Sequence, residues 1–133
     1  MSFLLDSNIV SAHIRRPSGL SHRFTQHAGR LFVPTPVLAE LYAWAYGRPD
    51  PTEILTAIDT LLLNEVEVVV YDDQCARWFG WLRSELRRQG VTVPPMDLLI
   101  ASVALSHDLT LVTNNTADFA SIPGLRLEDS LTP

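Results

Sequence analysis

Short runs of apolar and β-branched residues recur along the chain, and each run ends at polar or turn-forming residues. These runs cover residues 3–5, 31–33, 66–71, 110–113 and 125–127. Short apolar runs bounded by turn residues are typical of strands in a parallel sheet. The pattern therefore predicts a sheet of four to five strands, in which the last strand is short.

Helical periodicity fills the segments between these runs. Apolar residues recur there three to four positions apart, which is the spacing of one buried helix face. The predicted helices cover residues 9–14, 20–27, 36–46, 52–62, 73–89 and 97–105. Ser7 or Asn8 is expected to cap the first helix and Thr35 the third, and residues 17–19 are expected to form a turn.

The alternation of strands and helices places the chain in the α/β class. It predicts a three-layer α/β/α fold, with a central parallel sheet of four to five strands and helices on both faces. The length of 133 residues predicts a single domain, residues 1–133. The first ten residues lack the basic start of a secretory signal, and no window is long and apolar enough to span a membrane. We therefore expect a cytoplasmic protein.

Three acidic residues lie in apolar surroundings, where a carboxylate needs a specific role. Asp6 ends the first strand, Glu40 lies about one turn into the third helix, and Asp97 begins the last long helix. A lone aspartate after a strand is more often only a helix cap, so the inference rests on all three. Because ligands collect at the carboxyl edge of open α/β sheets, we expect these carboxylates to converge there with residues 115–118.

Such a cluster of carboxylates predicts a metal site. Neighbouring negative charges raise one another's pKa, and a divalent cation relieves this repulsion. Oxygen-only ligands favour Mg²⁺, with Mn²⁺ as the alternative, and the bound ion can activate water and stabilise charge on a phosphodiester. Zinc is not expected, because there is a single cysteine and the histidines lack ligand spacing. These residues are Cys75, His13, His22, His27 and His107, and the histidines are expected in surface or capping roles.

The charged residues exclude several other classes of protein. The net charge is −5, and all ten basic residues are arginine. Without lysine, the chain cannot contain a P-loop or a catalytic lysine. A phosphoacceptor signalling domain has a similar sheet, but by analogy it would need an acidic pair after the first strand and a lysine late in the chain. This sequence has neither.

Four segments resemble, in order, the motifs of PIN-domain nucleases, and among them the VapC-type toxins of bacterial toxin–antitoxin pairs. These segments are LLDSN at residues 4–8, VLAEL at 37–41, PMDLLIA at 95–101 and LVTNNTADF at 111–119. Together they extend over nearly the whole chain. The resemblance implies a PIN-like fold and a Mg²⁺- or Mn²⁺-dependent endoribonuclease, commonly a homodimer, that a cognate antitoxin protein neutralises.

The resemblance also implies roles for individual residues. Asp6, Glu40 and Asp97 would hold the metal and act in catalysis. Supporting roles fall to Ser7, Asn8, Thr113 and Asn115. The family's fourth acidic residue often lies two positions after the threonine, where this chain has Asn115. Asp118 is the nearest carboxylate that can replace it, and it is therefore a fourth catalytic candidate. We expect both residues to act mainly through water.

Two further features leave alternatives open. The arginines of helix 73–89 form a solvated face by default, and an RNA track or a partner surface is the alternative. The chain also has more aromatic residues than a small core readily absorbs, which predicts self-association through some of them. These aromatic residues are Tyr42, Trp44, Tyr46, Trp78 and Trp81.

Two other functions fit the same acidic residues. One is a PIN-like domain that binds RNA or protein without cleaving it. The other is a metal-dependent nuclease acting on single-stranded DNA, because carboxylate-held metal chemistry does not require a 2′-hydroxyl group.

Overall fold

Five parallel strands form one sheet in the computed structural model, which describes residues 1–131 and only the backbone at residues 17 and 18. The strands are β1 (Phe3–Leu5), β2 (Leu31–Pro34), β3 (Glu67–Val69), β4 (Thr110–Val112) and β5 (Leu127–Glu128). Their spatial order is β3-β2-β1-β4-β5. The predicted α/β fold with a central parallel sheet is confirmed, at the upper end of the predicted strand number.

Seven helices connect these strands and flank the sheet. They are α1 (Ser7–Arg15), α2 (Pro17–Gln26), α3 (Thr35–Tyr46), α4 (Thr52–Asn64), α5 (Asp73–Arg88), α6 (Pro95–Ser106) and α7 (Thr116–Phe119) within the described residues. The helix α6 is apolar almost all round, with six buried residues, as a helix enclosed by its neighbours should be. Among residues 1–131, no helix has the length and apolar character needed to cross a membrane.

The central position of β1 determines where functional side chains gather. In the sheet, Leu4 lies beside Phe32 of β2 on one side and Leu111 of β4 on the other. The chain leaves β1 toward β2, while β4 adds on the opposite side, so the strand order reverses at β1. In open α/β sheets, the crevice at such a reversal is the usual binding site. The residue that follows β1 at this crevice is Asp6.

Local details of the helix starts differ from the sequence-based expectations. The cap of α1 is Asp6, not Ser7 or Asn8, because the carboxylate accepts the backbone N–H of Ser7. Residues 17–19 do not form a turn but begin α2, where proline fits the first helical turn without loss of a hydrogen bond. The expected Thr35 cap is also wrong: Thr35 is already helical, and its hydroxyl accepts the backbone N–H of Tyr71.

Two of the four histidines are buried, contrary to the expected surface or capping roles. His13 is 6% exposed and its Nε2 lies 3.1 Å from Oε2 of Glu65, while its ring stacks on Phe24. His27 is 5% exposed, and its ring packs edge-on against Phe3. Aromatic stacking lets an imidazole replace an apolar core residue, which hydrophobic periodicity does not reveal.

Candidate active site

Asp6 occupies the end of the central strand in a fixed orientation. Its backbone N–H continues the sheet by donating to the carbonyl of Val112, 3.0 Å away. Its Oδ1 accepts the backbone N–H of Ser7 at 2.7 Å. The residue is only 5% exposed, so these hydrogen bonds hold a buried carboxylate at the carboxyl edge of the sheet. Asp6 thus caps α1 and also presents a buried carboxylate at this edge of the sheet.

The side chains of Thr113 and Asn8 complete the surroundings of Asp6. The Thr113 hydroxyl donates to Oδ2 of Asp6 at 2.8 Å, and the Asn8 amide donates to the Thr113 hydroxyl oxygen at 3.2 Å. The side-chain amide oxygen of Asn8, Oδ1, accepts the backbone N–H of Asn114 at 3.1 Å. These contacts join the start of α1 to the loop after β4. The two supporting residues therefore orient Asp6 rather than add charge to the site.

Glu40 approaches the same place from α3. Burial raises the pKa of its carboxyl, the negative charge of Asp6 raises it further, and a hydrogen bond from the Ser7 hydroxyl partly opposes this. The charge of Asp97 adds a smaller increase in the pKa. Its Oε1 is buried without a hydrogen-bond partner among the described residues. An unpaired buried carboxylate oxygen is costly, so this oxygen is available to a ligand that the chain itself does not supply.

Asp97 lies in the first turn of α6, where the partial positive charge of the helix start favours a carboxylate. Burial nevertheless raises its pKa, and the charges of Asp6 and Asp118 raise it further. The electrostatic coupling places Asp6, Glu40, Asp97 and Asp118 in one neighbourhood. Asp6 directly follows β1, while Glu40 and Asp97 belong to α3 and α6, and the fold brings these elements to one edge of the sheet.

The two residues considered for the fourth position differ in their surroundings. Asp118 lies in α7 and is exposed, with its charge close enough to act on Asp97. The side chain of Asn115 is also exposed, and its backbone N–H donates to the Thr113 hydroxyl oxygen at 3.1 Å. Thus Asp118 contributes negative charge to the cluster. Asn115 is connected to the cluster by the hydrogen bond from its backbone N–H to Thr113.

These carboxylates have the chemistry of a site for a hard divalent cation. Their oxygens are the ligands that such cations prefer, and Glu40 Oε1 has no partner within the described residues. Within the described residues, the carboxylate oxygens of Asp6, Glu40 and Asp97 do not all lie within 4.8 Å of one another. An open arrangement suits an ion that keeps several of its waters.

Sequence reasoning missed one group of ligand-type side chains. Asp72, Cys75 and His107 each place one ligand atom within 4.8 Å of the other two. The spacing of Asp72 and Cys75 across a helix start was the available signal in the sequence. His107 lies 32 residues beyond Cys75, so only the packing of α5 against α6 reveals that it joins them.

Comparison with known proteins identifies relatives over almost the entire chain. A profile of the family described as PIN domain matches residues 3–125. A protein of Shigella flexneri named "tRNA(fMet)-specific endonuclease VapC" is 36% identical over 130 residues, which cover 97% of this chain and 98% of the relative.

Solved structures of VapBC complexes also match this chain over almost its entire length. The crystal structure of DNA-bound VapBC from Salmonella typhimurium matches with a TM-score of 0.89 and 35% identity, over 96% of this chain and 97% of that one. VapBC2 from Rickettsia felis, bound to a DNA fragment from its promoter, matches with a TM-score of 0.88 and 31% identity, over 96% and 98%.

Proposed function

Because the chain belongs to the PIN-domain family, we propose that it is a metal-dependent endoribonuclease, the toxin of a VapBC-type toxin–antitoxin pair. It would act as a single nuclease domain of residues 1–133, in the cytoplasm. The observation that carries this proposal is the meeting of Asp6, Glu40 and Asp97 at one sheet edge, with a buried oxygen of Glu40 left unpaired by the described residues.

Asp6, Glu40 and Asp97 would hold the ion, which we propose to be Mg²⁺, with Mn²⁺ as the alternative. Ligands that are all oxygen atoms favour Mg²⁺ over softer ions. Once bound, this ion supplies a Lewis acid for the phosphodiester and lowers the pKa of water. Asp118 would add charge to the cluster from the exposed turn α7, without direct contact with the ion.

The protein residues have separate tasks in the proposed reaction. Thr113 and the Ser7 backbone fix the Asp6 carboxylate, so its oxygens are already oriented before the substrate binds. The raised pKa values of Glu40 and Asp97, caused first by burial, predict that protons compete with the metal as the pH falls. Hydrolysis consumes one water and leaves two RNA fragments.

RNA is the substrate that we propose, and a mainly apolar cavity that carries two arginines supports it. A cavity of about 480 Å³ is lined by Arg83 and Arg87 of α5 and continues along residues 90–95 to Leu98 at the start of α6. Arginine binds phosphate through a planar fork of donors. The cavity thus adjoins the helix turn that carries Asp97. The Shigella relative is named for its action on tRNA(fMet), so a tRNA pool is the first substrate to test.

Two protein partners belong to the proposal. The related solved structures are named as VapBC, which supports a cognate antitoxin as one partner of this chain. A second copy of the chain is the other, supported by exposed aromatic side chains: Tyr46 is 68% exposed and Trp81 is 50% exposed. Exposed aromatic side chains are enriched at protein interfaces.

Incubation of the pure protein with a tRNA pool and with single-stranded DNA, each with Mg²⁺ or EDTA, tests the proposal. We expect the RNA to be cleaved in Mg²⁺ and not in EDTA, and the single-stranded DNA to stay intact in both. Cleavage restricted to DNA would favour the DNA nuclease, and binding without cleavage would favour a silent domain. Induced expression in a bacterial host should arrest growth, and the Asp6→Asn variant should not. Equal slowing by both forms would indicate expression burden and contradict toxin action.

A further inference from the structure

A second group of ligand-type side chains lies at the other end of α6 from Asp97. Asp72 caps α5, Cys75 lies in the first turn of that helix, and His107 directly follows α6. One ligand atom from each side chain lies within 4.8 Å of the other two, and no other such trio meets this distance in the described part of the chain. The ten residue steps from Asp97 to His107 correspond to a helical rise of about 15 Å, which separates this group from the acidic site.

The protein already holds these side chains in place. Asp72 Oδ1 accepts the backbone N–H of Cys75 at 3.1 Å, so the carboxylate is fixed beside the thiol. Cys75 is fully buried, whereas Asp72 and His107 are exposed, so the exposed pair covers a buried sulfur. Hydrogen bonding with Cys75 lowers the pKa of Asp72, burial opposes this, and the charge of His107 lowers the pKa further.

The mixed donor set distinguishes this group from the acidic site. A thiolate, an imidazole nitrogen and a carboxylate oxygen are the three ligand types that zinc binds, and they suit Mg²⁺ poorly. In a tetrahedron with bonds of about 2.0–2.3 Å, neighbouring ligand atoms lie roughly 3.3–3.8 Å apart. The observed limit of 4.8 Å therefore requires side-chain shifts on the order of 1 Å to reach this geometry.

We propose that Asp72, Cys75 and His107 form a zinc site that joins the start of α5 to the end of α6. The thiol releases its proton to water when the ion binds, and the charges of thiolate and carboxylate balance that of Zn²⁺. Three protein ligands leave a fourth position for water or another ligand. Because the unfolded chain does not preform this site, bound zinc stabilises the folded protein.

Zinc binding to the full-length, chelator-treated protein tests this proposal. Competition with a chromophoric zinc indicator, in a reducing buffer, should give one zinc per chain. The His107→Ala variant should lower zinc affinity by at least about 100-fold, because even indirect partners of metal ligands contribute about 10- to 100-fold. Co²⁺ in place of zinc should show sulfur-to-metal charge-transfer absorption, which the Cys75→Ala variant should lack. Circular dichroism checks that each variant folds.

Two matched variants exclude other positions for the ion. His22→Ala removes an exposed histidine elsewhere, and Asp97→Asn weakens the acidic site. Both variants should bind zinc like the wild type, and His107→Ala should cleave RNA like the wild type. Unchanged zinc affinity in His107→Ala, or Co²⁺ spectra without a sulfur band, would overturn the proposal. The three side chains would then be only a helix cap beside a core cysteine.

Discussion

The hydroxyl of Thr113 donates a 2.8 Å hydrogen bond to Oδ2 of Asp6, which lies 107 residues earlier in the chain. This contact fixes the end of β1 to the residue that follows β4, and both residues are buried. A carboxylate held in this way needs no reorientation to bind a cation, so in the proposed metal site the hydrogen bond would act on metal binding through Asp6.

Thr113→Val should lower RNA cleavage by roughly 10- to 100-fold, as expected for an indirect partner of a metal ligand. The side chain keeps its shape but loses its donor, while Thr113→Ser retains the hydroxyl and should recover most of the rate. The Mg²⁺ concentration for half-maximal cleavage is the measurement. Thr60→Val removes a comparable hydroxyl at an exposed position of α4 and serves as the control. Wild-type Mg²⁺ dependence in Thr113→Val would contradict the positioning role.

Glu40→Gln should raise the melting temperature of the metal-free protein at neutral pH, on the order of 2–4 °C. Burial, followed by the charge of Asp6, raises the pKa of Glu40, so the folded state binds this proton more tightly than the unfolded state. The contribution of this proton to the free energy of unfolding is fully present below the ordinary glutamate pKa. It is lost as the pH rises through the raised pKa of Glu40.

Thermal unfolding in EDTA from pH 4 to 8 checks this expectation. The gain in Glu40→Gln should shrink toward low pH, where the wild-type carboxyl is protonated, and should also shrink when Mg²⁺ is added. Glu53→Gln, at an exposed position of α4, is the control and should show little change. If Glu40→Gln melts at a lower temperature than Glu53→Gln at neutral pH, the ionised Glu40 carboxylate does not destabilise the folded protein.

Asp118→Asn should weaken RNA cleavage less than Asp97→Asn does. Asp118 is exposed and acts on Asp97 through its charge, whereas Asp97 lies in the first turn of α6 within the cluster. Titration with Mg²⁺ should recover part of the lost rate in Asp118→Asn, because a weaker field lowers affinity without removing a ligand. If Asp118→Asn abolishes cleavage at every Mg²⁺ concentration while circular dichroism shows an intact fold, Asp118 is a primary ligand or a base.

The chain should form a dimer at micromolar concentration, through Tyr46 or Trp81. Both aromatic side chains are large and strongly exposed, and burying them at an interface removes apolar surface from water. In sedimentation velocity, Tyr46→Ser or Trp81→Ser should shift the protein toward the monomer. Leu63→Ser, at a leucine that is 83% exposed, is the control and should leave the dimer intact. A wild-type protein that sediments as a monomer contradicts the prediction.

The positions of the strands, and the unusual apolar surroundings of the acidic residues, were visible in the sequence because both have strong local signals. Residues 3–5 and 110–113 are short apolar runs, and Asp6 and Asp97 interrupt apolar segments where a charge is unexpected. The turn predicted at residues 17–19 was wrong because proline and glycine are also compatible with a helix start. Local signals of this kind have two structural solutions, and the packing of the chain selects one.

Contacts between distant segments could not be read from the sequence. The burial of His13 depends on Phe24 and Glu65, which belong to different segments. The approach of His107 to Asp72 depends on how α5 packs along α6. Neither relation has a fixed sequence spacing, so periodicity and motif reading give no indication of it.

The most direct test is the single-turnover rate of RNA cleavage as a function of Mg²⁺ concentration, for the wild type and for Asp97→Asn. Asp59→Asn, at an exposed position of α4, is the matched control. We expect that the wild type and Asp59→Asn cleave only with added metal, and that Asp97→Asn is slower by about 100-fold or more. Wild-type rates in Asp97→Asn, or undiminished cleavage in EDTA, would contradict a metal held by these carboxylates.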